Sequence, residues 1–219
     1  MNYFSSSGIS QSKNLNNLLR LIIFTNFLHF EFFIILKNIT NLFTIMESVK
    51  NTVESNYIEE HEDPTTFEAV EKLLAFHKVE YKKTTHKPTR TSEESAEVRG
   101  ATLASGAKAM LLKLEKDSVF VLLVLSAARK ILWKNVRQIL GTKKINLASL
   151  EEAKTLTKCL PGAIPPFGKI WGIKTYVDNS VFTQGSKINF NAGLRTTSIS
   201  MDSEDYKKVE NPIVCEFTG

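Results

Sequence analysis

The chain has 219 residues, of which 42% are hydrophobic and 23% are charged, and its formal net charge is +5. This length suffices for one sizeable domain, the composition excludes a fibrous or wholly disordered chain, and the modest positive charge favours an anionic partner. The two cysteines, Cys159 and Cys215, lack CxxC spacing and companion histidines, so we expect no disulfide framework and no zinc site. A reducing compartment, the cytosol or an organelle matrix, is the default; we expect a cytoplasmic location and no cofactor.

Residues 1–45 form an apolar leader that differs from the rest of the chain. They contain seven of the fourteen phenylalanines and no proline. Their apolar run, residues 21–36, is interrupted by Asn26, His29 and Glu31 and is shorter than the roughly 20 residues that a membrane span needs. We expect Met46 to be the working start and the leader to be a gene-model extension; a membrane-tethering helix and a targeting segment are the alternatives. Residues 46–63 are acidic and predict a disordered lead-in.

The remaining residues, 64–219, predict one domain that contains both helices and strands. Asp63 and Pro64 are typical of a helix start, and Gly100 and Gly141 are expected to end two further helices. In chain order, hydrophobic periodicity and turn residues predict a helix over 64–78, a strand over 79–85, a helix over 92–100, strands over 108–114 and 118–125, helices over 131–140 and 150–156, strands over 173–177, 187–191 and 197–201, and a final helix capped by Asp202 that runs to 209.

The order of these elements predicts an α/β protein of the mixed α+β type. Strands outnumber helices in the second half, and the regular alternation that builds a doubly wound parallel sheet is missing. The strands over 108–114 and 118–125 are continuously apolar, which predicts that they are buried on both faces.

Two segments are candidates for a ligand site. The sequence GAIPPFG, from Gly162 to Gly168, places two rigid prolines between two flexible glycines, so the loop would present its peptide groups at fixed positions. Lys108 comes just before an apolar run and would lie at the mouth of a pocket with an apolar wall. A backbone cradle with one cation suits a ligand with a carbonyl ester and a nearby phosphate. Taken singly, each segment has a plainer alternative, a surface turn and a solvated lysine.

The sequence offers no assembled protein nucleophile. It contains no GxSxG, HExxH or GxxxxGK[ST] motif. Of the four histidines, only His86, which has Lys87 and Arg90 nearby, is a candidate for a site role. Hydrolysis of an activated ester needs no such nucleophile if the chain orients the carbonyl and stabilises the oxyanion, and backbone N–H groups of residues 162–168 could do so.

Five separated motifs occur in one order: HKPTRTSEESAEVRG (86–100), GAKAMLLK (106–113), PGAIPPFG (161–168), TYVDNSV (175–181) and INFNAGLRTTSI (188–199). Together they resemble the YbaK family, also called the prolyl-tRNA-synthetase-associated editing domain, over roughly residues 64–210. The resemblance implies a curved, mostly antiparallel mixed sheet, partly closed like a barrel, with helices packed outside. It also implies a freestanding aminoacyl-tRNA deacylase that clears mischarged tRNA in trans, acting on tRNA(Pro) or a related species.

The resemblance also implies roles for individual residues. Lys108 matches a functional lysine of the family and would hold the terminal phosphate or ribose, or bond to the substrate carbonyl. Asp178 matches a position that can face the aminoacyl amine, although it could equally cap the turn before Asn179. The expected catalytic residues are Lys108, Gly162 and Pro166. The expected substrate-binding residues are His86, Arg90, Ala163, Ile164, Pro165, Phe167, Gly168, Asp178, Asn191 and Gly193.

One departure from the family concerns specificity. Members of the alanyl-specific branch have a histidine after the strand phenylalanine, whereas Asn191 follows Phe190 here. An asparagine donates and accepts hydrogen bonds but does not titrate near neutral pH. Alanine is therefore disfavoured as the edited amino acid, and cysteine, serine, threonine or another small residue stays open.

Basic residues flank the motifs and suit the backbone of a tRNA acceptor stem, with solubility alone as the alternative. They are Lys82, Lys83, Lys87, Arg90, Arg99, Lys143, Lys144, Lys169 and Lys174. The expected partner is aminoacyl-tRNA, and an aminoacyl-tRNA synthetase is a further candidate. DNA is not expected, and a membrane would be a partner only if residues 1–45 belong to the protein. The alternative function is a non-catalytic tRNA- or synthetase-binding module that assists another editing enzyme.

Overall fold

The computed structural model describes residues 37, 39–48, 62–114 and 119–219. The chain divides into two compact units, Met1–Glu60 and His61–Gly219. In the first unit, residues 39–48 are helical and exposed. Among the residues just given, no helix is both long enough and apolar enough to cross a bilayer. Most of the predicted leader and of the predicted lead-in lies outside the described residues.

Six α-helices lie in the described part of the second unit. They are α1 (Thr65–Phe76), α2 (Ser92–Arg99), α3 (Trp133–Leu140), α4 (Leu150–Thr157), α5 (Ser180–Thr183) and α6 (Ser203–Glu210). The start of α1 is stabilised by Asp63 Oδ1, which accepts a hydrogen bond from the Thr65 N–H at 2.9 Å. The N-cap of α2 is Thr91, which lies one residue before the predicted helix over 92–100 and forms a capping box with Glu94. Gly100 and Gly141 end their helices in the left-handed conformation, as predicted.

The strands of this unit form two sheets. The strands are β1 (Tyr81–Thr85), β2 (Ala107–Leu114), β3 (Val119–Ser126), β4 (Ile145–Leu147), β5 (Lys174–Asp178), β6 (Lys187–Leu194), β7 (Thr197–Asp202) and β8 (Ile213–Cys215). One sheet has the order β1-β7-β6 and is antiparallel throughout. The other has the order β4-β2-β3-β5-β8; its first three strands are antiparallel, and β5 and β8 run parallel to their neighbours.

This topology confirms the predicted α/β class with a mixed, mostly antiparallel arrangement. The sheets approach each other at an isolated bridge between Gly106 and Asn189, but they do not close into a barrel, because β1 and β4 remain sheet edges. The elements β4, α5 and β8 were not predicted. Each is three or four residues long, too short for a hydrophobic period to be recognised.

The larger core cluster lies between the two sheets and the helices α1 and α6. Val70 and Leu74 of α1 pack there with Phe190 of β6 and Leu122 of β3. A second cluster on the far face of the five-stranded sheet contains Val121, Leu123 and Leu125 together with Val136 and Phe217. Successive residues of β3 therefore enter different clusters, which confirms burial of this strand on both faces.

The three-stranded sheet has one face toward the core and one polar face. Because neighbouring strands are in register, alternate residues of the three strands lie side by side on the polar face. This polar face consists of Lys82 and Thr84 of β1, Ser198 and Ser200 of β7, and Asn189 and Asn191 of β6.

Candidate active site

A cavity of about 430 Å³ lies where α2, the start of β2, the glycine–proline loop and β6 meet. Its walls include six residues that the sequence predicted for the site or for its flank, of which five are Arg90, Arg99, Lys108, Gly162 and Asn191. Ile164 of the loop also lines it. The structure thus brings together side chains from segments that are far apart in the sequence.

Lys108 is the exposed cation of this cavity. It is the second residue of β2, and its backbone pairs with Leu125 of β3. Within the described residues its ammonium group makes no hydrogen bond or ion pair, so all of its donors remain available to a ligand. The apolar residues that follow it, Leu111 and Leu112, are buried in two different core clusters and do not line the cavity, so they do not form the predicted apolar wall.

The glycine–proline loop turns into the cavity at Gly162 and Ile164. Gly162 has a φ of 84°, and an added Cβ would lie 3.0 Å from the carbonyl oxygen of Arg90. The Ala163 N–H donates to Leu160 O at 3.0 Å, and the prolines have no N–H. The N–H groups of Gly162 and Ile164 donate to no other described residue. These two peptide groups are therefore the available part of the predicted backbone cradle.

Asn191 connects the loop with α2 and with the polar face. Its Nδ2 donates to Gly162 O at 3.0 Å, and its Oδ1 accepts from Arg99 Nη2 at 3.1 Å and from Ser198 Oγ at 3.0 Å. The side chain is 7% exposed, so these partners replace nearly all of its hydration. The residue that departs from the alanyl-specific pattern thus holds the loop and the arginine in fixed relative positions.

The second half of the loop lies in the core and does not line the cavity. Phe167 packs edge-to-face on Phe190, and Tyr206 donates from its hydroxyl to Pro166 O at 2.8 Å. Gly168 donates its N–H to Thr175 Oγ1 at 3.1 Å. An added Cβ at Gly168 would lie 2.4 Å from the same oxygen, so only glycine fits. Ala163 and Pro165 are also buried. These residues anchor the loop from behind.

Gly193 is a second anchor of the loop. It lies at the irregularity of β6, with a φ of 96°, and an added Cβ would lie 2.7 Å from Phe67 N. Its N–H donates to Ala163 O at 2.9 Å. It therefore fixes the loop through the backbone and does not line the cavity.

Asp178 lies away from the cavity, at the end of β5. Its carboxylate accepts from the Ser180 N–H at 2.9 Å, the Phe217 N–H at 2.7 Å and Thr218 Oγ1 at 2.8 Å. Burial alone would raise its pKa, but these hydrogen bonds outweigh burial and hold the pKa below its usual value. The hydrogen bond from Ser180 corresponds to the turn-capping role that the sequence offered as the alternative for Asp178. The hydrogen bonds from Phe217 and Thr218 also fasten the C-terminal segment.

The histidine and cysteine side chains of the described residues lie outside the lining of this cavity. His86 Nδ1 is 2.8 Å from Lys87 O, and Nε2 is 2.7 Å from Ser198 Oγ. His86 therefore reaches the site only through Ser198 and Asn191. Burial raises the pKa of both Cys159 and Cys215 to about 11, so neither is a reactive thiolate at neutral pH.

Among the charged and amide side chains that line the cavity, three were not predicted site residues: Arg99, Glu93 and Asn189. Burial lowers the pKa of Arg99 to about 10, which still leaves the guanidinium charged at neutral pH. Its buried Nε has no hydrogen-bond partner among the described residues. The sequence contained only a weak signal for Arg99, namely its place in the last turn of α2, just before the helix-ending Gly100.

Comparison with known proteins identifies relatives of this chain. The model of the aminoacyl-tRNA editing domain matches residues 86–209. The multifunctional Ser/Thr-tRNA deacylase ProXp-y of Escherichia coli strain K12 is 31% identical over 147 residues, which are 66% of this chain and 88% of that protein. The same protein from Escherichia coli O157:H7 matches equally.

Solved structures with low sequence identity share the fold. One is a crystal structure of a proposed trans-editing enzyme for prolyl tRNA synthetase, with a TM-score of 0.62 and 18% identity, covering 70% of this chain and 97% of that chain. Another, of a hypothetical protein, has a TM-score of 0.62 and 17% identity and covers 69% of this chain and 99% of that chain.

These comparisons confirm the predicted resemblance and the predicted class of activity, a trans-editing deacylase. The matched residues 86–209 include Lys108, Gly162 and Asn191, so they contain the cavity described above. The chain therefore belongs to the aminoacyl-tRNA editing domain family.

Proposed function

We propose that this protein removes a small hydroxylated amino acid, serine or threonine, from mischarged tRNA in the cytoplasm. The observation that carries the proposal is that Lys108 and the available N–H groups of Gly162 and Ile164 surround one cavity. The named activity of the ProXp-y relative supports the choice of amino acid. The lining of the cavity supports it too, since the Ser92 hydroxyl and the amide oxygen of Asn189 would hydrate or bind a hydroxyl group.

The proposed reaction is hydrolysis without a protein nucleophile. A water molecule attacks the ester carbonyl carbon, either directly or after the neighbouring ribose hydroxyl has taken over the ester in a transfer step. The bond between that carbon and the ribose oxygen breaks, and the proton of the attacking group passes to the released ribose oxygen. The products are the free amino acid and the intact tRNA.

The chain contributes positioning and charge stabilisation to this reaction. The Gly162 and Ile164 N–H groups would donate to the carbonyl oxygen as it becomes negative, and Lys108 would add a positive charge at the cavity mouth. The buried anchors at Phe167, Gly168 and Gly193 support this role because they fix the loop before the substrate binds. A loop that does not rearrange in the reaction stabilises the transition state at no additional cost.

The proposed partners follow from charge. Basic residues near the cavity, among them the half-buried Arg90 and the exposed Lys87, would contact the phosphates of the acceptor stem without reading its sequence. The tRNA would be tRNA(Pro) or a related species, and a synthetase that releases the mischarged product would be a second partner.

The alternative is a module that binds tRNA or a synthetase but does not turn over substrate. The available N–H groups and the lysine without a partner favour an enzyme, since a binding module does not need groups directed at the ester. The two functions differ in one observable. With substrate in excess over protein, an enzyme releases the amino acid over many turnovers, whereas a binding module does not.

The test is a panel of purified tRNAs charged with serine, threonine, cysteine, alanine and the cognate amino acid. We expect multiple-turnover ester loss from the seryl and threonyl forms, little from the cognate form, and at least about a tenfold loss of rate with Lys108→Ala. Stoichiometric binding without turnover would support the alternative. Preferential release of alanine would contradict the proposed role of Asn191 in specificity.

A further inference from the structure

A second, smaller cavity of about 70 Å³ lies beside the first on the polar face of the three-stranded sheet. It is lined by Lys82, Thr84, Arg99, Asn189, Ser198 and Ser200, with Ile199 at its base. Arg99 and Asn189 also line the first cavity, so these two residues form the wall between them. A volume of this size holds a few water molecules or one tetrahedral anion.

Strand register places the lining groups in rows. Lys82 pairs with Ser200, and Ser200 pairs with Asn189, which gives one row across all three strands. Directly paired residues of antiparallel strands have Cβ atoms about 5 Å apart, so Lys82, Ser200 and Asn189 reach one point from three strands. Thr84 lies in the next row, opposite Ser198.

Half of the six polar side chains that line this cavity are hydrogen-bond donors without partners among the described residues, whereas Asn189, Ser198 and Arg99 each make at least one hydrogen bond. Within the described residues, the side chains of Lys82, Thr84 and Ser200 make no hydrogen bond or ion pair. Arg99 uses one of its five N–H groups, on Asn191 Oδ1, and its Nε has no partner. The lining contains two cations and no carboxylate.

A half-buried guanidinium without an anionic partner is unfavourable for the folded protein, because burial removes water from the charge without replacing it. Such a group is explained if a ligand provides the anion. Lysine, arginine and hydroxyl donors around one point are the groups that proteins use to bind phosphate oxygens of nucleic acids.

We propose that this second cavity binds the phosphodiester that precedes the terminal adenosine of the tRNA, with Lys82, Arg99 and Ser200 as its donors. The proposal rests on the proposed function, since it places the ester in the first cavity. In an aminoacyl-tRNA the ester and this phosphate belong to the same terminal nucleotide, and the two cavities share a wall, as that connection requires.

This assignment removes one of the alternatives for Lys108. The sequence left Lys108 with a choice between the terminal phosphate, the ribose and the carbonyl. If the phosphate lies beyond Arg99, Lys108 is free to act on the ribose or the ester carbonyl in the first cavity. Arg99 then contacts substrate from the wall between the two cavities, and Asn191 orients it.

The experiment compares two probes by calorimetric titration at low salt, adenosine and cytidylyl-(3′→5′)-adenosine, which adds the phosphodiester and a cytidine; the Lys82 and Ser200 variants identify the part of the difference that is due to the phosphate. For the wild type we expect the dinucleotide to bind about tenfold more tightly, which corresponds to about 1.4 kcal/mol. Lys82→Ala and Ser200→Ala should each reduce this ratio, and Lys82→Ala combined with Arg99→Gln should bring it close to one. Lys134→Ala is the matched control, because it removes an exposed lysine of α3 that lines neither cavity.

Equal binding of the two probes to the wild type would overturn the proposal, and so would a ratio unchanged by Lys82→Ala and Ser200→Ala. Inorganic phosphate is a third probe, and binding of phosphate as tight as that of the dinucleotide would show a free-phosphate site and overturn the assignment to tRNA. Arg99→Gln removes a hydrogen-bond partner of Asn191. If the variant that contains it fails to fold, the single variants Lys82→Ala and Ser200→Ala decide the outcome.

The deacylation panel separates this proposal from the proposed function. A wild type that prefers the dinucleotide through Lys82 but releases no amino acid would refute the deacylase mechanism and support the phosphate site. A wild type that releases serine but shows no phosphate preference would support the mechanism and refute the site.

Discussion

The contact between Gly162 and Arg90 offers a direct test of the backbone-cradle mechanism. In Gly162→Ala, the new methyl group would lie 3.0 Å from the Arg90 carbonyl oxygen, and the residue would keep a φ of 84°. The left-handed conformation alone costs about 1–2 kcal/mol for a residue with a side chain. Arg90 cannot easily withdraw, since its N–H donates to Glu94 Oε2 at 2.8 Å within the cap of α2. The loop must therefore move instead.

Gly141→Ala is the matched control for the conformational cost. Gly141 has a φ of 65° with nothing within 4 Å of an added Cβ, and it ends α3, away from the cavity. We expect both variants to lose about 1–2 kcal/mol of unfolding free energy in urea. Only Gly162→Ala should also lose activity, by about tenfold or more in kcat, because displacements approaching 1 Å near the reacting groups cost up to about a hundredfold.

The assay is single-turnover deacylation of seryl-tRNA under conditions where both variants are folded by circular dichroism. Equal activity of the two variants, at equal loss of stability, would refute the reasoning, because the Arg90 contact would then not control the loop. Full stability with lost activity in Gly162→Ala would instead mean that the methyl group blocks the ester directly.

Three further predictions concern charged residues. Lys108→Ala should reduce kcat/KM by at least about tenfold without changing the urea midpoint, and wild-type turnover would remove Lys108 from the mechanism. Asp178→Asn should lower the unfolding free energy by about 2 kcal/mol, since the variant loses the charge-assisted hydrogen bonds from Ser180 and Phe217. The kcat of the folded variant should be unchanged. A lower kcat at native stability would indicate that Asp178 contacts the substrate amine. Burial raises the pKa of the Glu210 carboxyl in the folded protein. The protonated carboxyl therefore stabilises the folded state at a pH below the unfolded carboxyl pKa, and this stabilisation is lost as the pH rises through the raised pKa of the folded state. Urea denaturation across acidic pH should show this decline of the unfolding free energy in the wild type and a smaller decline in Glu210→Gln. Identical pH profiles of the two proteins would refute the prediction.

The sequence predicted the elements whose signals are local. The helix start at Asp63, the glycine stops at Gly100 and Gly141, and the long apolar strands all depend on neighbours within a few residues, and the structure contains each of them. The family motifs then indicated the loop and Lys108, which line one cavity.

The parts that the sequence did not predict depend on contacts between distant segments. Pro166, Phe167 and Gly168 were expected at the substrate, but the packing of Phe167 on Phe190 turns them into the core. Arg99 was counted among nine flanking basic residues, and nothing in its neighbourhood reveals that the fold half-buries it beside Asn191. A periodicity identifies which face is buried but not which charged side chain lacks a partner.

The amide of Asn191 joins residues that are far apart in the chain, and this has a consequence for synthesis. Its partners Arg99 and Thr89 precede it by 92 and 102 positions. At about 5–20 residues per second, the ribosome adds Asn191 roughly 5–20 seconds after Arg99. Until then, the segment that ends in Arg99 and the segment that contains Lys108 have no β6 on which to assemble. A nascent chain of this protein cannot edit, and activity would appear only when β6 and β7 have emerged and closed the longest loops of the domain.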